Sequence, residues 1–208
     1  MYLPTHFAQT DPAALHALMR QHPLATLITE ANGEPVADEV PFLFDPTQGP
    51  LGTLKAHVAR ANPLWQNHPL DRKVLAVFRG PQAYVSPSWY PAKREHGKVV
   101  PTWNYTVVQA SGHLRVVDGD AAWLRAQLEA LTQSQEGARA QPWQVDDAPA
   151  DYIARMMGAV VGLEIEITTL VGKFKLSQNH PPEARHGVMQ GLLGEPEQSA
   201  HQVASRMA

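Results

Sequence analysis

The chain has 208 residues, 44% apolar and 18% charged, with a formal net charge of −3. That length fits one domain with one proper core, and the low charged fraction points to surface buried between subunits. No cysteine is present, which excludes disulfides, thiolate metal sites, cysteine nucleophiles and iron–sulfur clusters; the weak negative charge argues against broad adhesion to nucleic acid.

The N-terminus, MYLPTHFAQTDP, lacks the basic-then-apolar layout of a signal peptide. No apolar run reaches the ~18–20 residues that span a bilayer, so the cytoplasm is the expected location. Asp11-Pro12 reads as an N-cap followed by a first-turn proline, and Leu15, Leu18 and Met19 predict an amphipathic helix over 12–21. Asn32-Gly33 lies between two β-rich runs, LATLITE and EPVADEVPFLF, and predicts a hairpin whose two turn positions both need positive φ. Pro35 and Pro41 cannot donate to a ladder, which puts the second strand at an edge or gives it a bulge. A turn at 45–50, a strand LGTLKAHV and a short helix begun by Asn62-Pro63 follow.

VLAVFRG and QAYVS read as a strand pair bent at Gly80-Pro81. NYTVVQASGHLRVVDG reads as two further strand-like runs about Ser111-Gly112. Asp120 is placed to cap a helix carrying Trp123, Leu124, Leu128 and Leu131, and a second helix is expected from about Pro149 to Met157. VVGLEIEIT alternates, with Val161, Leu163, Ile165 and Ile167 on one face and Glu164, Glu166 and Thr168 on the other: a half-buried strand. KFKLSQN is another strand-like run, and helices are expected near 182–192 and 196–206. At least six strands, short connections and no βαβ alternation predict a mainly β (α+β) fold. Its form is an antiparallel barrel in a single domain over 1–208, with helices at the N-terminus, at 120–157 and at the C-terminus.

Three segments could carry chemistry. The first is residues 84–104, with Ser86, Ser88, Trp89, Tyr90, Lys93, Arg94, Thr102, Trp103 and Asn104. Aromatic rings can wall a planar ligand while hydroxyl and amide groups read its polar edge; equally, the two tryptophans can be rim core and the prolines loop-shapers. The second is LKAHVARANP, where Lys55 and His57 share a strand face and Arg60 lies just beyond. These could clamp a phosphate or be solvated charges at a strand end. The third is GKFKLSQN, whose Lys175, Ser177 and Gln178 offer an anion contact or a lysine-protected strand edge. The ten histidines are scattered and form no short metal-ligand motif; a site built from distant residues stays open. No GxSxG elbow, P-loop or GxGxxG fingerprint occurs.

Taken in order, MYLPTHF, HVARANPLW, VFRGPQAYVSPSWYP, VPTWNY, VVGLEIEI and KLSQN resemble the PaiB-like family, FMN-binding negative transcriptional regulators of bacteria. The resemblance runs from about residue 1 to 206. It implies an antiparallel split β-barrel of the FMN-binding type, a homodimer, and two FMN sites at the subunit interface. By that resemblance Lys55, His57 and Arg60, with Asn62 beside them, hold the FMN phosphate. Ser86, Ser88, Trp89, Thr102, Trp103 and Asn104 border the isoalloxazine and ribityl chain, and Lys175, Ser177 and Gln178 come from the second subunit. It also implies DNA as a partner, which composition supports little: the helices at 182–206 carry glycines and few basic residues. The alternatives are a flavin-dependent reductase or oxidase of a small molecule, and a haem-binding barrel. The segments contain no committed catalytic residue and no metal site.

Overall fold

A computed structural model describes residues 1–69 and 71–208. The chain forms two compact units. One comprises Met1–Leu18, Arg79–Val108 and Val171–Ala208; the other comprises Met19–Phe78 and Gln109–Leu170. They are termed the terminal unit and the central unit.

In the central unit, β2 (Leu24–Ala31) and β3 (Glu34–Pro41) form the expected hairpin. Asn32 and Gly33 both adopt positive φ, 54° and 84°, as a two-residue turn matched to strand twist requires. β3 ends the strand order β3-β2-β6-β7-β8-β5-β4, so Pro35 and Pro41 sit on an edge and cost no ladder bond. β4 (Leu43–Asp45) and β5 (Thr53–Ala59) pair antiparallel, and β5 pairs antiparallel with β8 (Val160–Lys175) from Thr53↔Glu166 to Ala59↔Val160. Alternation sends Leu54, Ala56 and Val58 of β5 and Val161, Leu163, Ile165 and Ile167 of β8 into the core, all buried. A short helix, α2 (Leu64–Asn67), follows Asn62, whose Oδ1 accepts the Leu64 amide at 2.9 Å. α4 (Ala121–Glu136) starts at Asp120, whose carboxylate accepts the Trp123 amide. It covers the outer face of β5 and β8: Trp123 Nε1 donates to Glu164 at 2.7 Å, and Gln127 reaches His57. Glu164, expected on a polar outer face, is therefore only 5% exposed. α5 (Ala150–Gly158) follows.

In the terminal unit, β1 (Ala8–Gln9) pairs with β8 at Lys173 and Gly172, and α1 runs over Pro12–Gln21 as the spacing predicts. A 3-10 turn at Pro87–Trp89, α3 (Ala92–Glu95), α6 (Pro182–Leu193) and α7 (Gln198–Ser205) complete it. Val85, Tyr90, Val188, Leu192 and Val203 form its interior. The glycines of α6 have a packing reason. A Cβ at Gly191 would stand 2.2 Å from the Trp89 ring, and one at Gly187 would stand 2.2 Å from the Trp89 carbonyl oxygen.

Two breaks read from the sequence are not breaks. β6 is one 13-residue strand, Lys73–Val85, through Gly80-Pro81. β7 is one 16-residue strand, Thr102–Val117, through Ser111-Gly112. A Cβ at Gly112 would lie 2.0 Å from the Glu166 carbonyl oxygen, so this glycine serves close strand approach rather than a turn. VVGLEIEIT and KFK likewise form one strand, β8. Long antiparallel strands with peripheral helices make this the expected mainly β, split-barrel fold. Among the described residues no helix is long and apolar enough to cross a membrane.

Candidate functional site

The terminal unit contains a cavity of about 540 Å³ at the start of β7 and the end of β8. On β7, Thr102 and Asn104 point to it while Trp103 points to the other face, as period-two alternation requires. From β8, Lys175 donates to Thr102 Oγ1 and, at 2.7 Å, to the Trp103 carbonyl. Asn104, fully buried, donates through Nδ2 to Ser177 Oγ at 3.0 Å. Ser177 is 2% exposed and has φ of 62°. A left-handed non-glycine residue buried at a strand end is strained, and such strain collects at functional sites. Gln178 spends its amide locally: it donates to the Phe174 carbonyl at 2.6 Å and accepts from the Leu176 amide at 2.7 Å.

Tyr90 and His180 close the cavity with ring centroids 5.1 Å apart. The Tyr90 hydroxyl is buried and faces Ser177 without reaching hydrogen-bond geometry. Burial pushes the Tyr90 pKa up. Burial pushes Lys175 down, helped by the charge of Lys173, and pushes His180 down, helped by Lys175. His96 and Lys98 also line the cavity, and among the described residues no Asp or Glu does. The result is a donor-rich, positively biased cavity that suits a ligand rich in anionic or carbonyl oxygens.

The remaining residues of the 84–104 segment lie elsewhere in this unit. Ser86, Trp89 and Trp103 share a separate pocket of about 470 Å³. Ser88 gives its amide to Ser86 Oγ and accepts from Lys93 Nζ at 2.7 Å. Strand alternation thus divides between two pockets what the sequence presents as one wall.

In the central unit, each predicted phosphate contact turns to its own partner. Lys55 pairs with Asp45 at 2.8 Å, and that ammonium, with Thr47, holds the Asp45 carboxyl down at about 2. His57 Nδ1 lies 3.0 Å from Gln127 Oε1. Arg60 forks onto Asp118, at 2.8 Å from NH2, and donates to the carbonyls of Gly158 and Val160. Asn62 donates to Asp38 at 2.9 Å. Among the described residues these four side chains do not converge on one point.

His96, Lys98 and His180 are cavity residues absent from the sequence-based candidates, and Tyr90, named in the 84–104 segment, is not among the cofactor contacts that the resemblance implies. His180 directly follows the SQN run, and His96 and Lys98 sit inside the polar loop, so position was the available signal. Among the described residues no three His, Asp or Glu side chains are placed to hold a metal.

Residues 1–169 match the family described as "Putative FMN-binding domain". An uncharacterized protein of Emericella nidulans is 33% identical over 92% of this chain and 90% of its own. Protease synthase and sporulation protein PAI 2 of Bacillus subtilis is 29% identical over 100% of this chain and 96% of its own. Among solved structures, the FAD and heme binding protein of Mycobacterium smegmatis superposes with a TM-score of 0.59 at 19% identity, over 88% of this chain and 80% of that one. At that identity the likeness is one of fold. The matched length and the near-full-length relatives together establish that this chain belongs to the putative FMN-binding domain family.

Proposed function

We propose that this protein binds FMN in the terminal-unit cavity, as a homodimer, and acts as a flavin-dependent negative regulator. One observation carries the cofactor reading: a cavity with no carboxylate in its lining, holding Lys98, Lys175, His96 and His180 beside the unpartnered hydroxyl of Tyr90. FMN presents acceptor oxygens at its phosphate and at its pyrimidine edge. Asn104, Thr102, Lys175 and Ser177 supply donors for them, and a flavin bound there would supply the redox chemistry. The competing placement puts the phosphate on Lys55, His57, Arg60 and Asn62, and it requires Lys55 and Arg60 to leave Asp45 and Asp118.

The homodimer is supported by the low charged fraction and by large apolar side chains left exposed outside the pockets, Leu24 and Val36 among them. Regulation rests on the relationship to PAI 2. The C-terminal helices lend direct DNA contact little, since Arg185 of α6 is spent on the Met207 carbonyl. Regulation through a bound partner fits better. Haem is the second cofactor reading, favoured by the fold likeness to a protein described as binding FAD and heme.

An absorption spectrum of the purified protein, with mass spectrometry of the released cofactor, tests this. Flavin bands and the mass of FMN are expected. A Soret band moves the assignment to haem, and the mass of FAD moves it to that flavin. A colourless protein that fails to bind added FMN ends the cofactor reading. NAD(P)H oxidation by the same sample would make it an oxidoreductase.

A further inference from the structure

The terminal unit's other pocket has the reverse chemistry. It is lined by Tyr84, Trp89 and Trp103 together with Glu195 and Glu197, and by no Lys, Arg or His. Tyr84 and Trp103 are 46% and 53% exposed, with ring centroids 5.9 Å apart in an edge arrangement. Neither glutamate belongs to an ion pair among the described residues.

The acidic segment is also anchored. It links α6 to α7, and Ser199 at the start of α7 both accepts from the Gln82 amide at 3.0 Å and donates to the Gln82 carbonyl at 2.6 Å. The His201 ring reaches the Glu195 carbonyl at 2.7 Å. The backbone that carries the two glutamates is thereby held beside the aromatic wall rather than left as a free tail.

An aromatic face carries negative potential and attracts a cation within ~6 Å of its centroid. Two unneutralised carboxylates add to that field. An anion is repelled from such a pocket, and a neutral ring would cover the glutamates without replacing their hydration. We infer that this pocket binds an organic cation, an alkylammonium group carrying apolar substituents. The site lies across β7 from the cavity assigned to flavin, and the inference stands independently of that assignment.

Calorimetric titration of the full chain with choline, and with the uncharged carbon isostere of choline, tests it. Choline is expected to bind, with the isostere weaker by about ten-fold. The double variant E195Q/E197Q is expected to lose about ten-fold in choline affinity while keeping its fold and its flavin content. W103A loses binding and W103F recovers part of it. Absent binding of choline, equal binding of the isostere, or unchanged affinity in E195Q/E197Q would each overturn the inference. Loss of flavin from E195Q/E197Q would merge this pocket with the cofactor site and overturn it as a separate one. A protein that binds choline but no flavin would leave this inference standing and end the cofactor reading alone.

Discussion

Basic residues gather in two regions, and the two are chemically unlike. On the central unit's 55–60 segment, Lys55 and Arg60 each face an aspartate at 2.8 Å. In the terminal-unit cavity, Lys175 faces only a hydroxyl and a carbonyl, and no carboxylate lines the wall. A ligand phosphate at the first must displace a carboxylate already in place, exchanging one charge-assisted bond for another. At the second it displaces no acid, and its charge offsets the burial, and secondarily the neighbouring positive charge, that hold Lys175 and His180 below their ordinary pKa values. Uncompensated charge therefore marks an anion site better than the number of basic residues does.

The sharpest way to break this contrast is a pair of substitutions read by flavin affinity. K175A is expected to weaken flavin binding by about ten-fold or more, since a hydrogen bond to a charged group contributes about 1.5–3 kcal/mol. R60A is expected to change it by about two-fold or less, because its guanidinium is committed to Asp118. Flavin fluorescence titration reads both. The reverse ranking would return the phosphate to Lys55, His57 and Arg60.

Next in size is the cost of emptying each region of its polar support. Asn104→Leu leaves the buried Ser177 hydroxyl without its partner, a loss of about 1–3 kcal/mol in folding stability. Asn62→Ala removes part-buried bonds to Asp38 and to the Leu64 amide, and about 1 kcal/mol or less is expected. Urea unfolding of both variants measures the difference. Equal losses would mean that the cavity is no more desolvated than the surface segment.

Much of the scaffold was legible because its signals are local. Asn32-Gly33, Asp120 and the Val161–Ile167 alternation each act within a few residues, and each appears where the pattern put it. Gly80-Pro81 and Ser111-Gly112 misled because glycine marks either a turn or a close approach, and only the opposing strand decides. The candidate site was half legible for the same reason. Thr102, Asn104, Lys175 and Ser177 were selected by type and do meet. The partners that occupy Lys55 and Arg60 lie ten and fifty-eight residues away in the chain, and no local pattern announces Asp45 or Asp118. Nor does composition show that Trp103 turns from Thr102 and Asn104 into a pocket of its own.

The smallest expected effect tests the charge contrast through pH. The Asp45 carboxyl sits at about 2 in the folded chain against an ordinary 3.8. A depressed carboxylate contributes stability that is complete above 3.8 and is lost as pH falls through about 2. Both partners are partly exposed, at 20% and 25%, so screening limits the contribution to on the order of 1 kcal/mol. K55M should therefore be less stable than the wild type at neutral pH, with the gap closing toward about pH 2. Lys175 has the opposite linkage. Its folded pKa is lowered, so its charged form costs stability below that pKa, and the cost fades as pH rises toward the unfolded value. The difference between K175M and the wild type should show no carboxylate-type closing toward about pH 2; it changes only where His180, which Lys175 also lowers, titrates, and on the alkaline side. Acid titrations of both variants followed by circular dichroism separate the two behaviours. A matching acid slope in K55M and K175M would mean that Lys175 has a carboxylate partner in solution, and the cavity would lose the uncompensated charge on which its assignment rests.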